Sequence, residues 1–397
     1  MTLTSVELFA GAGGMALGLH RAGFRAVALV EQDADACATL RAVVEDGRLC
    51  GEVIEGDAAT VDLSPFVGAD LVAGGPPCQP FSAAGKGEGA DDSRDGWPAF
   101  VRAVEIVRPR FILAENVRGF LFQKFDAYRL HIQRQLEALG YSLRVGLMNA
   151  ADFGVPQTRQ RVFIVGARDG EPPPWPVRTH HDPRKGRSLF AATAPWVSAG
   201  EAVGLGGMET LGGNPTRRDM RGESVRWGMS AASGGPAWKA GAADTVKGDG
   251  WSHQCRIMSN QYADGERRTR GLDEPAEVVM TIPPVVVGCP PELRRPAPAW
   301  FRGGWAAKHP ASDMRSPVST VVADHGAGSV NIVRVGGAPF RAPWQWRAAW
   351  QAFPVEVRGP GVVDVLWPFA GNRGAVDRQI GNAAPPRLVE ALAGELR

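Results

Sequence analysis

Two side chains of this 397-residue chain stand at positions suited to covalent chemistry. Cys78 lies in "GGPPCQPFSAAGK" (Gly74 to Lys86), between prolines and next to a glutamine, directly after the apolar run "DLVA". A structural cysteine would sit inside that run and act as a small hydrophobe. Cys78 instead follows it, in a rigid Pro-rich turn that opens into a Gly-rich loop, where a nucleophile is usually presented. Glu115 stands in the same relation to a second apolar run, "FILAEN". A thiol and a carboxyl at adjoining strand ends suit attack by a thiolate, with the carboxyl moving a proton or bonding to developing charge. A free thiol ionises near pH ~8.5, so Cys78 needs help to work near neutrality.

The elements that must position these groups alternate between β-rich apolar runs and helical patterns. In order they read "SVELF", "MALGLHRAG", "AVALV", "ADACATLRAVV", "EVIEG", "DLVAGG", "WPAFVRAVEIVR", "FILAEN" and "YRLHIQRQLEALG". Such alternation predicts an α/β fold, a mainly parallel sheet with helices on both faces. Ligands of these sheets bind at the carboxyl ends of the strands. After the first strand, Gly11, Gly13 and Gly14 open a helix and let a cofactor approach the backbone. After the second stands Glu31, placed to accept hydrogen bonds from a ribose diol, and after the third comes Asp57, placed for an adenine amino group. Up to this point a nicotinamide enzyme and a methyl-donor enzyme fit equally, since both cofactors carry adenosine. Cys78 and Glu115 over the same cleft favour covalent chemistry over hydride transfer.

Bulk composition narrows the class. The five cysteines (Cys37, Cys50, Cys78, Cys255, Cys289) are odd in number and scattered, with no CxxC pair or histidine at ligand spacing. Neither a disulfide framework nor a metal site is indicated, and the reducing cytoplasm is the expected setting. No stretch resembles a signal peptide or a membrane span, so a soluble protein without membrane partners is expected. Net charge is only +2, but Arg178 to Arg347 holds 22 Lys/Arg against 15 Asp/Glu, and 11 of the 12 tryptophans lie from Trp175 onward. This shift sets a boundary in the Pro-rich stretch near residue 175. It predicts a catalytic and cofactor-binding domain over 1–175 and, after it, a separate domain whose basic excess suits nucleic acid.

Taken together, the motifs resemble those of the DNA cytosine-5 methyltransferases, in family order. They are "VELFAGAGGMALGL", "VEQD", "GDA", "GGPPCQPFS", "ENV", "QTRQRVFIVG" and, near the C-terminus, "QIGNAAPPRLVEAL". The resemblance covers about the first 170 residues and the last 30, and implies that 370–397 completes the domain over 1–175 and leaves 176–369 as the other domain. It implies a Rossmann-like methyltransferase domain that uses S-adenosylmethionine, yields S-adenosylhomocysteine and needs no metal. By position, Phe9, Gly11, Gly13, Gly14, Glu31, Asp57, Pro77 and Asn382 correspond to cofactor contacts. Cys78, Glu115, Arg159 and Arg161 correspond to the cytosine site, the two arginines supplying positive field, and Gln79, Ser82, Lys86 and Arg94 to DNA contacts. The Gly-rich loop "SAAGKGEGADDSRDG" resembles the mobile catalytic loop that closes over a flipped base. One departure concerns "WQWRAAWQAFP", which keeps Gln351, Phe353 and Pro354 of an "LQGFP"-like end but has Gln345 and Trp346 where the family has an arginine and a glutamate. Gln32 also replaces a large apolar residue that faces adenine in many relatives.

The segment 176–369 then corresponds to target recognition, irregular and β-containing. Within it "RGLDEPAEVVMT" and "MRSPVSTVVADH" each combine an arginine, a turn-forming proline and a β-branched run. The expected partner is double-stranded DNA, bound by a monomeric bacterial modification enzyme with a possible cognate restriction endonuclease. A tRNA cytosine-5 methyltransferase and a non-catalytic DNA-binding protein on the same fold are the alternatives. The long basic segment favours duplex DNA, and intact Cys78 and Glu115 favour turnover.

Overall fold

The computed structural model describes residues 2–77, 95–185, 193–206, 312–314, 316–321 and 342–397, together with the backbone of the short strands 257–258, 269–270, 332–334 and 339–341. Cys78, Gln79, Ser82, Lys86 and Arg94 lie outside the described residues, as do nearly all of the Gly-rich loop and most of the basic segment, including all but the first residue of "RGLDEPAEVVMT".

The expected alternation is present. The chain runs β1 (Thr4–Leu8), α1 (Gly14–Arg21), β2 (Arg25–Glu31), α2 (Ala34–Glu45), β3 (Glu52–Glu55), β4 (Leu71–Gly74), α3 (Trp97–Val107), β5 (Phe111–Val117), α4 (Asp126–Ala138), β6 (Ser142–Asn149), β7 (Gln157–Thr158) and β8 (Gln160–Ala167). Later in the chain come α5 (Trp344–Trp350), α6 (Arg373–Asn382) and α7 (Pro386–Gly394). Local chemistry sets several boundaries. Asp33 caps α2 by accepting from Ala36 N at 2.9 Å. Prolines open α3 and α7 in the first turn, where a missing N–H costs nothing.

The strands form one seven-stranded sheet in the order β3-β2-β1-β4-β5-β8-β6. The first five run parallel, which brings their carboxyl ends to one edge, and β8 is antiparallel to both β5 and β6. One face is covered by α3 and α4 through Trp97, Phe100, Ile132 and Leu136 against Val6, Leu8 and Val30. On the other face α1 and α7 pack Met15, Leu19, Leu388 and Leu392 against Leu71, Leu113 and Phe163. The approach of α1 to the C-terminal helices is close enough to require glycine. A Cβ on Gly14 would stand 2.6 Å from Ala384 O, and one on Gly18 would stand 2.6 Å from both Pro386 O and Val389 Cβ.

Composition groups 342–369 with the basic stretch before it; in the fold these residues pack both on that stretch, through Ala199, Val203, Met314 and Val318, and on α1 and α2. Trp346, Trp350, Phe353 and Trp367 share one buried cluster with Ala16, Leu17, Leu40 and Val43 of α1 and α2. Each indole N–H finds a carbonyl: Trp346 donates to Gly361 O (2.9 Å), Trp350 to Ala199 O (3.1 Å) and Trp367 to Ala12 O (2.8 Å). These tryptophans raise the aromatic content of the basic segment yet serve as core anchors, which composition cannot distinguish from a nucleic-acid surface. The altered late motif is explained in the same way. Trp346 is buried in this cluster, and the buried charge at this site is Arg347, 2% exposed, paired with Asp377 of α6, 1% exposed, which also accepts from Arg373 Nε at 3.1 Å.

The end of α5 carries a visible strain. Phe353 N donates to Ala348 O (3.1 Å) and Ala352 N to Ala349 O (3.0 Å), the two bonds of a Schellman turn, so Ala352 sits in the left-handed region at φ 66°. An L-residue with a Cβ pays about 1 kcal/mol there relative to glycine. Ala352→Gly is therefore expected to stabilise the protein by roughly 1 kcal/mol, read as a higher urea midpoint with an unchanged slope.

Candidate active site

The carboxyl edge of the sheet opens into a cavity of about 470 Å³. Its walls come from six strand ends and from α1, α2 and α6, and they divide into two regions.

The first region surrounds the β1–α1 turn. Gly11 adopts φ 55°, and a Cβ there would meet nothing within 4 Å, so its backbone faces open space. Its N–H donates to Glu31 Oε2 at 2.7 Å, while Glu31 Oε1 accepts from Gln32 N and Asp33 N, each at 2.8 Å. One carboxylate thus ties the end of β2 to the end of β1 and shapes both turns. Phe9, also on the wall, holds a positive φ of 54°, a conformation rare outside glycine. Gly14, Gln32 and Asn382 line this region as well, Asn382 from the end of α6.

Two residues assigned here by motif stand elsewhere. Gly13 does not line the cavity: it holds φ 82°, a conformation that favours glycine, and a Cβ on it would also crowd Leu40 Cδ2 at 3.0 Å and Trp367 at 3.3 Å. Asp57 is exposed and accepts from Ala59 N at 2.9 Å, holding its own turn, while its neighbours Gly56 and Ala58 form the wall.

The second region lies beyond β4 and β5. Pro77, the residue before Cys78, is on the wall, with Gly75 and Pro76. Gly96 N donates to Pro77 O at 3.2 Å, so the chain that leaves at Cys78 returns to its point of departure. Glu115 projects from β5 and its Oε1 stands 2.8 Å from Arg161 Nε. That contact follows from the antiparallel register, which sets Val117 opposite Arg161 and Glu115 opposite Phe163. Arg159 also reaches the cavity, and Gln160 between the two arginines is exposed, so both guanidinium groups point inward and neither simply faces solvent. Arg159 is 1% exposed and is held by Val321 O at 3.0 Å, from the piece "MRSPVSTVVADH", whose strand Val318–Ser319 pairs in parallel with β7. Burial, followed by the nearby Arg161 charge, pushes the Arg159 guanidinium well below its ordinary value, with Glu115 acting in the opposite direction. Its Nε has no hydrogen-bond partner among the described residues.

Four wall residues carry chemistry that motif reading passes over. Asn116 is buried, donates to Pro76 O at 3.2 Å and accepts from Val117 N at 2.8 Å, and so orients the turn before Cys78. Arg378 and Gln379 enter from α6; Gln379 accepts from Thr39 Oγ1 at 2.7 Å and donates to Ala370 O at 2.8 Å. Glu7 is a carboxyl on the buried strand β1, 1% exposed, and its Oε2 has no hydrogen-bond partner among the described residues. The available signal was a glutamate inside the apolar run "SVELF", which strand alternation alone treats as unremarkable.

Comparison with known proteins follows the same outline. The family model for C-5 cytosine-specific DNA methylase matches residues 3–200. The chain is 48% identical over 169 residues to the Type II methyltransferase M.NgoMIV of Neisseria gonorrhoeae, a match covering 43% of this chain and 53% of that protein. It is 40% identical over 205 residues to M.NaeI of Lentzea aerocolonigenes, covering 50% and 49%, so the chain spans about half the length of these relatives. With M.AquIA of Picosynechococcus it shares 39% identity over 201 residues, which cover 46% of this chain and 79% of the relative. In fold it is similar to a Dnmt2 methyltransferase of S. pombe, with a TM-score of 0.56 at 15% identity over 99% of this chain and 98% of the other. A methyltransferase of Entamoeba histolytica gives a TM-score of 0.52 at 12% identity, covering 100% and 98%.

Glu31 is the acceptor on which the first region depends. Glu31→Ala leaves three backbone N–H groups in search of water and is expected to cost about 1–3 kcal/mol. Glu31→Gln, which keeps one acceptor oxygen, should cost less. Urea unfolding of the two variants checks the order.

Proposed function

We propose, from the premise that the chain belongs to the C-5 cytosine-specific DNA methylase family, that it methylates carbon 5 of a cytosine flipped out of a specific duplex DNA sequence, as the modification enzyme of a bacterial restriction system. The observation that carries this reading is the single cavity in which the Gly11–Glu31 region is continuous with the Glu115–Arg161 pair, with Pro77 between them.

The residues of the first region fit S-adenosylmethionine. Gly11 leaves its side-chain direction open, the Glu31 carboxylate stands where ribose hydroxyls can donate, and the unpartnered Glu7 oxygen offers negative charge to a cationic ligand. Phe9, Gly14, Pro77 and Asn382 complete the enclosure, and Gly56 and Ala58 leave room for the adenine end beside Asp57. When bound, the cofactor supplies an electrophilic methyl group.

The chain's own groups prepare the cytosine. The Cys78 thiolate adds to carbon 6, forming a carbon–sulfur bond and moving electron density onto carbon 5. Glu115, once it carries a proton, donates a hydrogen bond through its O–H to ring nitrogen 3 and offsets the charge that develops there. Arg161 orients Glu115, and the unpartnered Arg159 Nε suits the exocyclic oxygen of the base. Once carbon 5 carries the methyl group, a base removes its proton, the carbon–sulfur bond breaks, and the electron pair returns to Cys78. Flipping costs a few kcal/mol, and the loop that begins at Cys78 with Gln79, Ser82, Lys86 and Arg94 is the candidate to hold the DNA. The seven excess positive charges between Arg178 and Arg347 suit phosphate contacts.

The reaction order is tested by 5-fluorocytosine at the target position, because fluorine cannot leave as a cation. Wild-type protein should form a donor-dependent complex with such a duplex that survives denaturing electrophoresis, with the adduct on Cys78. Cys78→Ser should lose the band while still binding DNA, and Glu115→Gln should slow trapping by roughly a hundredfold or more. An adduct mapped to Cys37, Cys50, Cys255 or Cys289 would overturn the assignment.

A further inference from the structure

The glutamate beneath the first region takes no part in the steps at the cytosine, and among the described residues its carboxyl is left uncompensated. Glu7 lies in the middle of the sheet, on β1 between β2 and β4, and its side chain reaches the cavity wall while only 1% of it is exposed. A lone carboxylate in such a place is costly unless paired. No cation pairs with it among the described residues, and its Oε2 accepts and donates nothing. The charge that acts on it has the wrong sign: Glu31, at the end of β2, repels it.

We propose that Glu7 carries a proton in the unliganded protein and releases it when a cationic methyl donor enters the cleft, so that donor binding is coupled to the loss of a proton to solvent. This rests on the S-adenosylmethionine reading of the cavity. In the coupled step the Glu7 O–H bond breaks, its electron pair stays on the carboxylate, and the proton passes to water or buffer. The ligand's positive charge then neutralises the carboxylate that the protein alone leaves uncompensated. A protonated carboxyl has an O–H to donate inside the empty cleft, and a carboxylate accepts once the ligand brings donors.

The surrounding groups support this assignment. The ionisable residues on the cavity wall besides Glu7 are Glu31, Asp33, Glu115, Arg159, Arg161 and Arg378. Arg161 is engaged with Glu115, and Arg159 is held from Val321 on the far side of β5. Strand β4 brings no ionisable group, α1 carries only His20 and Arg21 in its last turn, and α7 carries Arg387 and Glu390. Burial first, and Glu31 second, raise the Glu7 carboxyl well above the usual carboxylate range. The sign follows. A carboxyl raised in the folded state binds more protons folded than unfolded, so it lowers stability as pH rises from the unfolded carboxylate value through the raised one. Glu7→Gln removes that loss and is therefore expected to fold at least as stably near neutral pH. Donor affinity behaves oppositely: it rises with pH, by up to about tenfold per pH unit, through the window between the liganded and unliganded values of Glu7.

Calorimetric titration of S-adenosylmethionine into the full chain near neutral pH, in two buffers of different ionisation enthalpy, counts the protons released. Wild type should release close to one proton per donor bound, and Glu7→Gln close to none while still binding. Difference infrared spectroscopy of the wild type gives an independent reading: the carbonyl stretch of a buried protonated carboxyl should disappear on binding. Donor binding with no proton release, or with the same release in Glu7→Gln, overturns the role of Glu7 and leaves the cofactor assignment standing. Absence of donor binding in the wild type would instead overturn the cofactor assignment. A carboxyl band unchanged by donor counts against the proposal even if Glu7→Gln fails to fold.

Discussion

The site depends on how closely the two ends of the chain pack. Helix α1 follows the first strand, and α7 ends the chain, yet the backbones approach so closely at Gly14 and Gly18 that no Cβ fits between them. This contact holds α6, immediately before α7, over the carboxyl edge of the sheet, where Arg378, Gln379 and Asn382 close the cavity. Without it the β1–α1 turn would open to solvent, and the Glu31 carboxylate would organise a surface loop. Thr39 of α2 donates to Gln379 and Trp367 donates to Ala12 O, so the same enclosure is pinned from both sides.

The second constraint is the reversal of chain direction at β8. Five parallel strands deliver their carboxyl ends to one edge, but a sixth parallel strand would bring only another turn. Running β8 antiparallel to β5 carries the start of that strand to this edge, and with it Arg159 and Arg161. Both arginines then work in a poorly solvated space where charge is felt strongly. The protein pairs Arg161 with Glu115 and anchors Arg159 on the carbonyl of Val321. Gln157, two residues before Arg159, accepts from Val321 N at 2.7 Å and donates to Trp350 O at 3.2 Å. Val321, from the basic stretch, is therefore hydrogen-bonded directly to the turn that leads into β8.

Much of this was legible in the sequence because the motifs sit at strand ends, where short spacing and topology decide what meets. Alternation of strands and helices was enough to bring Gly11, Glu31, Pro77 and Glu115 to one edge. What sequence did not reveal depends on which side of a residue is occupied. Gly13 and Gly11 look alike in "FAGAGG", but one faces Leu40 and Trp367 and the other faces open space. Tryptophan-rich composition suggested a nucleic-acid surface over 342–369, whereas Trp346, Trp350 and Trp367 are buried in a cluster that joins α1 and α2 to Ala199 and Val318. The pairing of Arg347 with Asp377 joins α5 to α6 across a stretch that contains two further strands, and nothing local announces it. Glu7 was hidden for the opposite reason: its type is ordinary for a strand, and only its burial makes it unusual.

The central claim is that this cavity methylates cytosine in DNA, and nucleoside mass spectrometry tests it most directly. The chain would be expressed in a host with no cytosine-5 methylation of its own, and DNA and RNA would be digested and measured separately. The account predicts 5-methyldeoxycytidine in the DNA of cells carrying the wild-type chain and none in cells carrying Cys78→Ser. DNA left unmodified by a folded wild-type protein, or 5-methylcytidine gained in RNA instead, would contradict it.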